Sequence, residues 1–165
     1  MSSHNNDTAA NPALVNRHAL QVNIATTLLR LSLAVVFLAH GLLKVFVFTI
    51  PGTVGYFESI GYPGFLAYPV IFAEVFGDIA LLLGVQTRAV SLALVPVLIG
   101  ATLQHVPNGW VFSAEGGGWE FPALWTVLLL VQSLLGPGLV ALRIGVLNRL
   151  LGQFGLQDPQ AATIR

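Results

Sequence analysis

Four long runs of apolar residues dominate the pattern of this 165-residue chain, and short polar or glycine- and proline-rich segments separate them. A helix rises 1.5 Å per residue, so about 20 residues cross the roughly 30 Å of hydrocarbon in a bilayer. Each run approaches or exceeds that length. The pattern therefore predicts an all-α membrane protein, a bundle of four transmembrane helices over 24–48, 66–86, 89–106 and 121–142.

Two shorter segments also carry a helical pattern. In the first loop, Thr53 is placed to cap a short interfacial helix over 54–60. After the fourth run, residues 139–154 alternate apolar and polar residues at helical spacing, which is typical of an amphipathic helix on a membrane surface. The chain thus divides into a disordered cytoplasmic tail over 1–22, a membrane domain over 23–142 and a cytoplasmic amphipathic or flexible tail over 143–165.

Composition agrees with the membrane interpretation. Hydrophobic residues make up 55% of the chain and charged residues only 8%, against roughly a quarter charged in soluble domains. Seven basic and seven acidic residues leave no net charge, so the chain has no nucleic-acid footprint and its expected surroundings are the lipid bilayer. There is no cysteine, which excludes disulfides, thiolate metal sites and thiol chemistry by this chain.

The positions of the basic residues predict the orientation in the membrane. Arginine and lysine in short loops collect on the cytoplasmic side, and the loops over 49–65 and 107–120 contain neither. Both termini are therefore predicted to be cytoplasmic, in the plasma or inner membrane of the cell, with those two loops facing outward. The residues that carry this orientation are Arg17, Arg30, Arg88, Arg143, Arg149 and Arg165.

Ionisable residues lie inside two of the predicted spans, where charge is expensive and usually functional. Glu74 and Asp78 are one helical turn apart in the second span, and His40 and Lys44 have the same spacing in the first. Each pair shares a helix face. Antiparallel packing then lets Lys44 neutralise Glu74 and places His40 close to Asp78, while Arg30 snorkels to the headgroups or reaches toward Asp78.

The third and fourth spans add polar residues at the same outward end: Gln104 and His105 end one helix, and Glu120 begins the next. Together these residues predict an outward-opening pocket that either holds a polar head on an apolar tail, such as a quinone, or passes a proton. No metal site is predicted, because the Glu-x-x-His repeats of di-iron bundles do not occur. A bis-histidine haem is disfavoured because His40 lies about six residues deeper than His105.

Several separated motifs resemble the DoxX family of small four-helix membrane proteins, over about residues 28–137. They are R-L-x-L-A-x-x-F-L-A-H-G-x-x-K at 30–44, Y-F-E-S-I-G-Y-P at 56–63, A-E-V-F-G-D-I-A-L-L-L-G-x-x-T-R at 73–88, H-V-P-N-G-W at 105–110 and G-G-W-E-F-P at 117–122.

The resemblance implies a link to membrane oxidoreductases. The family takes its name from a subunit associated with archaeal thiosulfate:quinone oxidoreductase, and bacterial members are implicated in complexes that handle thiol or oxidative stress. A chain without cysteine supplies only the quinone or anion side of such chemistry. The characteristic family positions that the resemblance marks here are His40, Lys44, Glu74, Asp78, Arg88 and His105.

The leading hypothesis is a subunit of a membrane redox complex that binds a quinone non-covalently. His40, Lys44, Gln104, His105 and Glu120 are the predicted ligand-binding residues, and Glu74 and Asp78 the predicted proton-accepting catalytic residues. The expected partners are other redox subunits or a second copy of the chain. The alternative is a non-catalytic scaffold or assembly factor whose intramembrane charges lock helix packing; a small transporter or proton channel fits less well, because no inverted repeat is evident.

Overall fold

The computed structural model describes residues 12–142 and 144–158, and every regular element within them is helical. Three helical segments are long and apolar enough to cross a bilayer, and a further apolar helix has 16 residues. The predicted all-helical membrane class is confirmed, with three membrane-length spans. The helices are α1 Pro12–Phe46, α2 Ile50–Ser59, α3 Ala67–Leu83, α4 Thr87–His105, α5 Glu120–Leu135 and α6 Gly145–Gly152, with 3₁₀ turns at Gly64–Leu66 and Val106–Asn108.

Helices α1, α3, α4 and α5 form the bundle, in which α3 packs on α1 and α4, and α5 packs on α4 and α1. All four helices contribute to one apolar core, while many large apolar side chains remain exposed on the outer faces. Outward-facing apolar residues suit a lipid environment, since lipid tails are as apolar as the residues themselves. The core residues are Leu33, Ala34, Phe37, Leu81, Leu94, Leu98, Trp125 and Leu129.

The first helix begins much earlier than its predicted start at residue 24. The described residues are helical from Pro12 onward. No glycine or proline follows before Gly41, so nothing interrupts the helix. Residues 12–22, predicted to be disordered, are helical and exposed, whereas 1–11 lie outside the described part of the chain.

The fourth bundle helix ends at Leu135, seven residues before the predicted end at 142. Gly136 and Gly138 adopt φ values of 85° and 79°, which side chains disfavour, and Pro137 between them cannot continue a helix. The predicted amphipathic helix over 139–154 is correspondingly short, because α6 spans Gly145–Gly152. Residues 143 and 159–165 of the predicted tail lie outside the described residues.

The short interfacial helix is present as α2, but its cap is Thr49. The Thr49 Oγ1 accepts a hydrogen bond from the Gly52 N–H at 3.3 Å. Thr53, the predicted cap, is buried and its hydroxyl lies 3.1 Å from the Lys44 carbonyl and 3.0 Å from that of Thr49. Thr53 therefore ties α2 back to the end of α1.

Arg30 on α1 joins three parts of the bundle through backbone carbonyls. It is 1% exposed. Its Nε donates to the Pro137 carbonyl at 2.9 Å and its Nη2 to that of Val140 at 2.5 Å. Its Nη1 donates to the carbonyls of Leu81 and Leu82 in the last turn of α3, and the Leu81 carbonyl also accepts from the Gly84 N–H at 3.0 Å. The expectation that Arg30 snorkels or reaches Asp78 was wrong, because these carbonyls occupy its guanidinium.

The turn over 84–86 between α3 and α4 marks one end of the bundle, which we call the hairpin end; the opposite end, with α2, we call the cavity end. Gln86, before α4, provides no side-chain cap. Asp158, the last described residue, provides the cap instead. Its Oδ2 accepts a hydrogen bond from the Thr87 N–H at 2.9 Å and its Oδ1 accepts one from the Arg88 N–H at 3.3 Å. The C-terminal segment thereby closes the start of α4.

Replacing Arg30 by methionine should destabilise the bundle by at least about 3 kcal/mol, because the change leaves buried carbonyls without a charged donor. Thermal unfolding of the purified protein in detergent measures this as a lower Tm. The matched control is Arg17→Met on the exposed start of α1, for which no shift is expected. Equal Tm values for the two variants would contradict the assigned role of Arg30.

Asp158→Ala should cost about 1 kcal/mol, since α4 loses the acceptor for its first N–H groups. Asp158→Asn should retain most of the stability, because asparagine caps helices about as well as aspartate. The same unfolding experiment compares the two variants with the wild type. If alanine and asparagine behave alike, capping is not what Asp158 contributes.

Candidate functional site

A cavity of about 780 Å³ opens at the cavity end, between the four bundle helices, α2 and the loop that precedes α5. That volume lies within the range of small-molecule pockets. Most of its lining is apolar or aromatic, and a few polar side chains converge on it. Its aromatic side chains are Phe37, Tyr56, Phe57, Tyr62, Phe112, Phe121 and Trp125, and its polar and charged side chains include His40, Lys44, Glu74, Gln104 and His105.

The predicted ion pair between Lys44 on α1 and Glu74 on α3 forms in the cavity wall, and the Lys44 ammonium contacts both carboxylate oxygens. Glu74 is buried, while the Lys44 side chain is 25% exposed. Gly41 makes this approach possible, since a Cβ there would lie 3.1 Å from both Glu74 Cβ and Val75 Cγ2. The pair therefore provides a fixed acceptor and a partly accessible donor.

His40 lies one turn before Lys44, on the cavity wall. Its Nδ1 is 2.8 Å from the Val36 carbonyl, and because a carbonyl only accepts, Nδ1 carries the proton of the neutral ring. The ring meets Trp125 edge-on, with centroids 5.0 Å apart. His40 consequently presents Nε2 as a hydrogen-bond acceptor.

His105 is held in the same way by the loop before α5. Its Nδ1 lies 3.1 Å from the Gly116 carbonyl and 3.0 Å from that of Gly117, so its neutral ring also leaves Nε2 as an acceptor. Asn108 donates to the same two carbonyls. Gly118 completes this tight loop, since a Cβ there would lie 2.2 Å from the Val111 carbonyl oxygen.

Gln104 reaches across the mouth of the cavity to the first loop. Its Nε2 donates to the Tyr62 hydroxyl at 2.9 Å, which joins the end of α4 to the segment after α2. The interaction leaves the Tyr62 O–H available as a donor and the Gln104 amide oxygen available as an acceptor. Both residues line the cavity.

Two predicted site residues lie away from this lining. Glu120 accepts a hydrogen bond from the Phe112 N–H at 2.8 Å and so holds the loop before α5. Asp78 is fully buried, and neither of its oxygens has a hydrogen-bond partner within residues 12–142 and 144–158. The structure therefore does not place His40 on Asp78, because the backbone of α1 and the Trp125 ring hold His40.

The sequence predicts Trp125 as a lipid-facing or core residue, which the structure confirms for the core, but it gave no place to Trp125 in the cavity wall. Its ring contacts Phe37 and Phe121, with centroid distances of 4.9 and 4.7 Å, as well as His40. It belongs to both the core and the cavity wall. Its place at helical spacing after Phe121 was the available signal, but spacing alone does not distinguish a core residue from a ligand contact.

Chemically, the cavity offers flat aromatic surfaces with both hydrogen-bond acceptors and donors. The acceptors are the Glu74 carboxylate, the Gln104 amide oxygen and the two histidine Nε2 atoms, and the donors are Lys44, the Tyr56 and Tyr62 hydroxyls and the second N–H of the Gln104 amide. No group of three or more His, Cys, Asp or Glu side chains able to hold a metal occurs among the described residues. The arrangement suits a planar organic ligand with polar substituents.

Comparison with known proteins gives one family match. Residues 25–106, from α1 to the end of α4, match the family model described as DoxX. A Bacillus subtilis (strain 168) protein named "Putative oxidoreductase CatD" is 38% identical over 80 residues, which are 48% of this chain and 58% of that protein. The alignment thus spans little more than half of the relative's length. No solved structure matches this chain.

Proposed function

The chain belongs to the DoxX family of membrane proteins through residues 25–106, and we propose that it is a subunit of a membrane redox complex that binds a quinone or its quinol form in the cavity. The observation that carries this proposal is one aromatic chamber of about 780 Å³ containing an ion pair and two histidines. The relative's name, which contains the word oxidoreductase, supports the redox class.

The shape and lining of the cavity suit a quinone ring. A flat conjugated ring packs well against the faces and edges of Trp125, Phe37 and Phe121. The polar groups of a quinoid ring lie on opposite carbons, and the cavity has polar residues from α1, α3 and α4 around its apolar space. The apolar tail of such a ligand would extend from the cavity into the surrounding lipid.

The hydrogen-bond roles of the polar residues differ for the two redox forms of the ligand. A quinone oxygen only accepts, so Lys44 and the Tyr62 hydroxyl are its partners. A quinol hydroxyl donates, so the Nε2 atoms of His40 and His105 and the Glu74 carboxylate receive it. The cavity therefore has hydrogen-bond partners for both redox forms of the ligand.

Oxidation of the bound quinol releases two electrons and two protons. In this proposal the electrons pass to a partner redox subunit, and the protons pass to the histidine Nε2 atoms and to Glu74, which act as general bases. The ligand leaves as the quinone. The partner subunit, or a second copy of the chain, completes the reaction.

The scaffold hypothesis makes a different claim about the same ion pair. Lys44 and Glu74 join α1 to α3. An ion pair whose role is to hold two helices together performs that role without a bound ligand. Removing the Glu74 charge then lowers stability and leaves quinone content unchanged. Quinone binding and unfolding therefore have to be measured on the same variants.

Glu74→Gln should weaken binding of a short-chain quinol about tenfold, equivalent to about 1.4 kcal/mol, because the cavity loses a charged acceptor. Quenching of tryptophan fluorescence measures binding, since Trp125 lines the cavity; Trp125→Phe identifies which of the three tryptophans responds. The quinone content of protein purified from native membranes should fall in parallel.

Glu115→Gln is the matched control, because it makes the same chemical change at an exposed loop residue and should leave affinity and quinone content at wild-type values. A folded Glu74→Gln protein with wild-type affinity would remove Glu74 from the site. Lower stability with only background quinone in every sample would favour the scaffold.

We further propose that the chain lies in the plasma or inner membrane with the hairpin end in the cytoplasm. Arg88 lies at that end, in the first turn of α4, and the loops at the cavity end contain no lysine or arginine. This orientation places the cavity on the outward side. Both termini are then cytoplasmic.

The absence of native cysteine allows a test with single introduced cysteines. Ser113→Cys, in the exposed loop before α5, should react with an impermeant maleimide added to intact cells or spheroplasts. Gln153→Cys, beyond α6, should react only after the membrane is permeabilised. The reverse labelling pattern would invert the proposed topology.

A further inference from the structure

A set of buried polar side chains lies between the cavity and the hairpin end, outside the ligand site described above. Asp78, Thr87, Ser91 and Gln132 are all fully buried. Both oxygens of Asp78, both hydroxyl oxygens and the Gln132 Oε1 have no hydrogen-bond partner among the described residues. Buried polar atoms are nearly always hydrogen-bonded, and each exception costs about 1–3 kcal/mol. Their number points to water as the partner.

The register of α3 and α4 orders these residues along the bundle. A Cβ on Gly77 would lie 3.2 Å from the Leu94 side chain, so these residues are level across the antiparallel pair. Toward the hairpin end, Asp78 lies one residue beyond Gly77 on α3. On α4, Ser91 and Thr87 lie three and seven residues from Leu94 in the same direction. Glu74 and Asp78 are then about 6 Å apart along the bundle axis, Ser91 and Thr87 are also about 6 Å apart, and Ser91 lies within about one helical turn of the height of Asp78.

Glu74, Asp78, Thr87 and Ser91 fall on buried surfaces of α3 and α4. Glu74 and Asp78 are one turn apart on α3, and Thr87 and Ser91 are one turn apart on α4, so each pair shares a face. All four are buried, which directs both faces into the bundle. Glu74 lines the cavity, and Thr87 stands at the first position of α4 at the hairpin end. We call this set the polar column.

We propose that the polar column carries protons between the cavity and the hairpin end, with Asp78 as the obligatory carrier. The Asp78 carboxyl takes a proton from the cavity side through Glu74 and releases it to waters held by Ser91 and Thr87. Each hop breaks one O–H bond and forms the next, so no oxidant or reductant is consumed. Hydroxyl side chains both donate and accept, as water does, and a bridging water needs two to four such partners.

This proton path extends beyond the proposed quinone site and does not depend on it. Ionisable residues within a bilayer are expensive, and proton relays are among their established uses. The buried charge of Glu74 is explained by the lysine in contact with its carboxylate. The Asp78 carboxylate has no such contact among the described residues. A purely structural role leaves its two unpartnered oxygens unexplained.

The test is proton flux into liposomes that contain the purified full-length chain, a trapped pH-sensitive dye and no quinone. A potassium gradient with valinomycin drives the flux. The wild type should acidify the lumen faster than protein-free liposomes, and Asp78→Asn should return the rate to that background. Glu115→Gln, an exposed loop change, should retain the wild-type rate.

Ser91→Ala and Thr87→Val serve as second variants, because they remove the hydroxyls while leaving the Asp78 carboxyl intact; both should lose most of the flux with a Tm near that of the wild type. A wild-type rate at background, or a folded Asp78→Asn protein at the wild-type rate, would overturn the path. A rate that requires sodium in the buffer would also overturn it and assign the column to a cation. Because these liposomes contain no quinone, the presence or absence of proton flux does not decide whether the cavity binds quinol, and the two proposals can fail separately.

Discussion

The architecture depends on satisfying backbone carbonyls where helices end inside an apolar environment. The last carbonyls of a helix have no intrahelical partner, and hydrocarbon supplies none. Arg30 meets this need with a planar fork of donors that reaches the end of α3 and the segment after α5 at once. The break at Gly136, Pro137 and Gly138 leaves non-helical backbone after α5, and Arg30 donates to the Pro137 and Val140 carbonyls of that segment.

The two ends of the bundle handle polarity in opposite ways. At the hairpin end, Arg30 and Asp158 pair with backbone groups and close the structure. At the cavity end, carbonyls of the loop before α5 accept hydrogen bonds from the Asn108 amide and pair with His105 Nδ1, and the cavity lies between the helices. A rigid closed end and an open end with fixed polar groups suit a protein that holds a ligand in one half of the membrane.

The sequence predicted the features that helical spacing determines. Lys44 meets Glu74, and Gln104 and His105 reach the same cavity, because each position follows from residue count along a helix. It did not predict the roles of Arg30 and Asp158, whose partners are backbone groups as far as 110 residues away in the chain. No side-chain pattern marks such partners. Spacing alone predicted Glu120 in the ligand site. The structure places it outside the cavity lining, because its carboxylate accepts a hydrogen bond from the loop before α5, whose conformation spacing does not encode.

The length of α5 has a consequence for the surrounding lipid. Sixteen residues extend about 24 Å, less than the roughly 30 Å of an average hydrocarbon core. A helix of this length placed across a bilayer creates a hydrophobic mismatch, which membranes accommodate by local thinning. A mismatch confined to one side of the bundle predicts a preference for membranes of smaller hydrocarbon thickness.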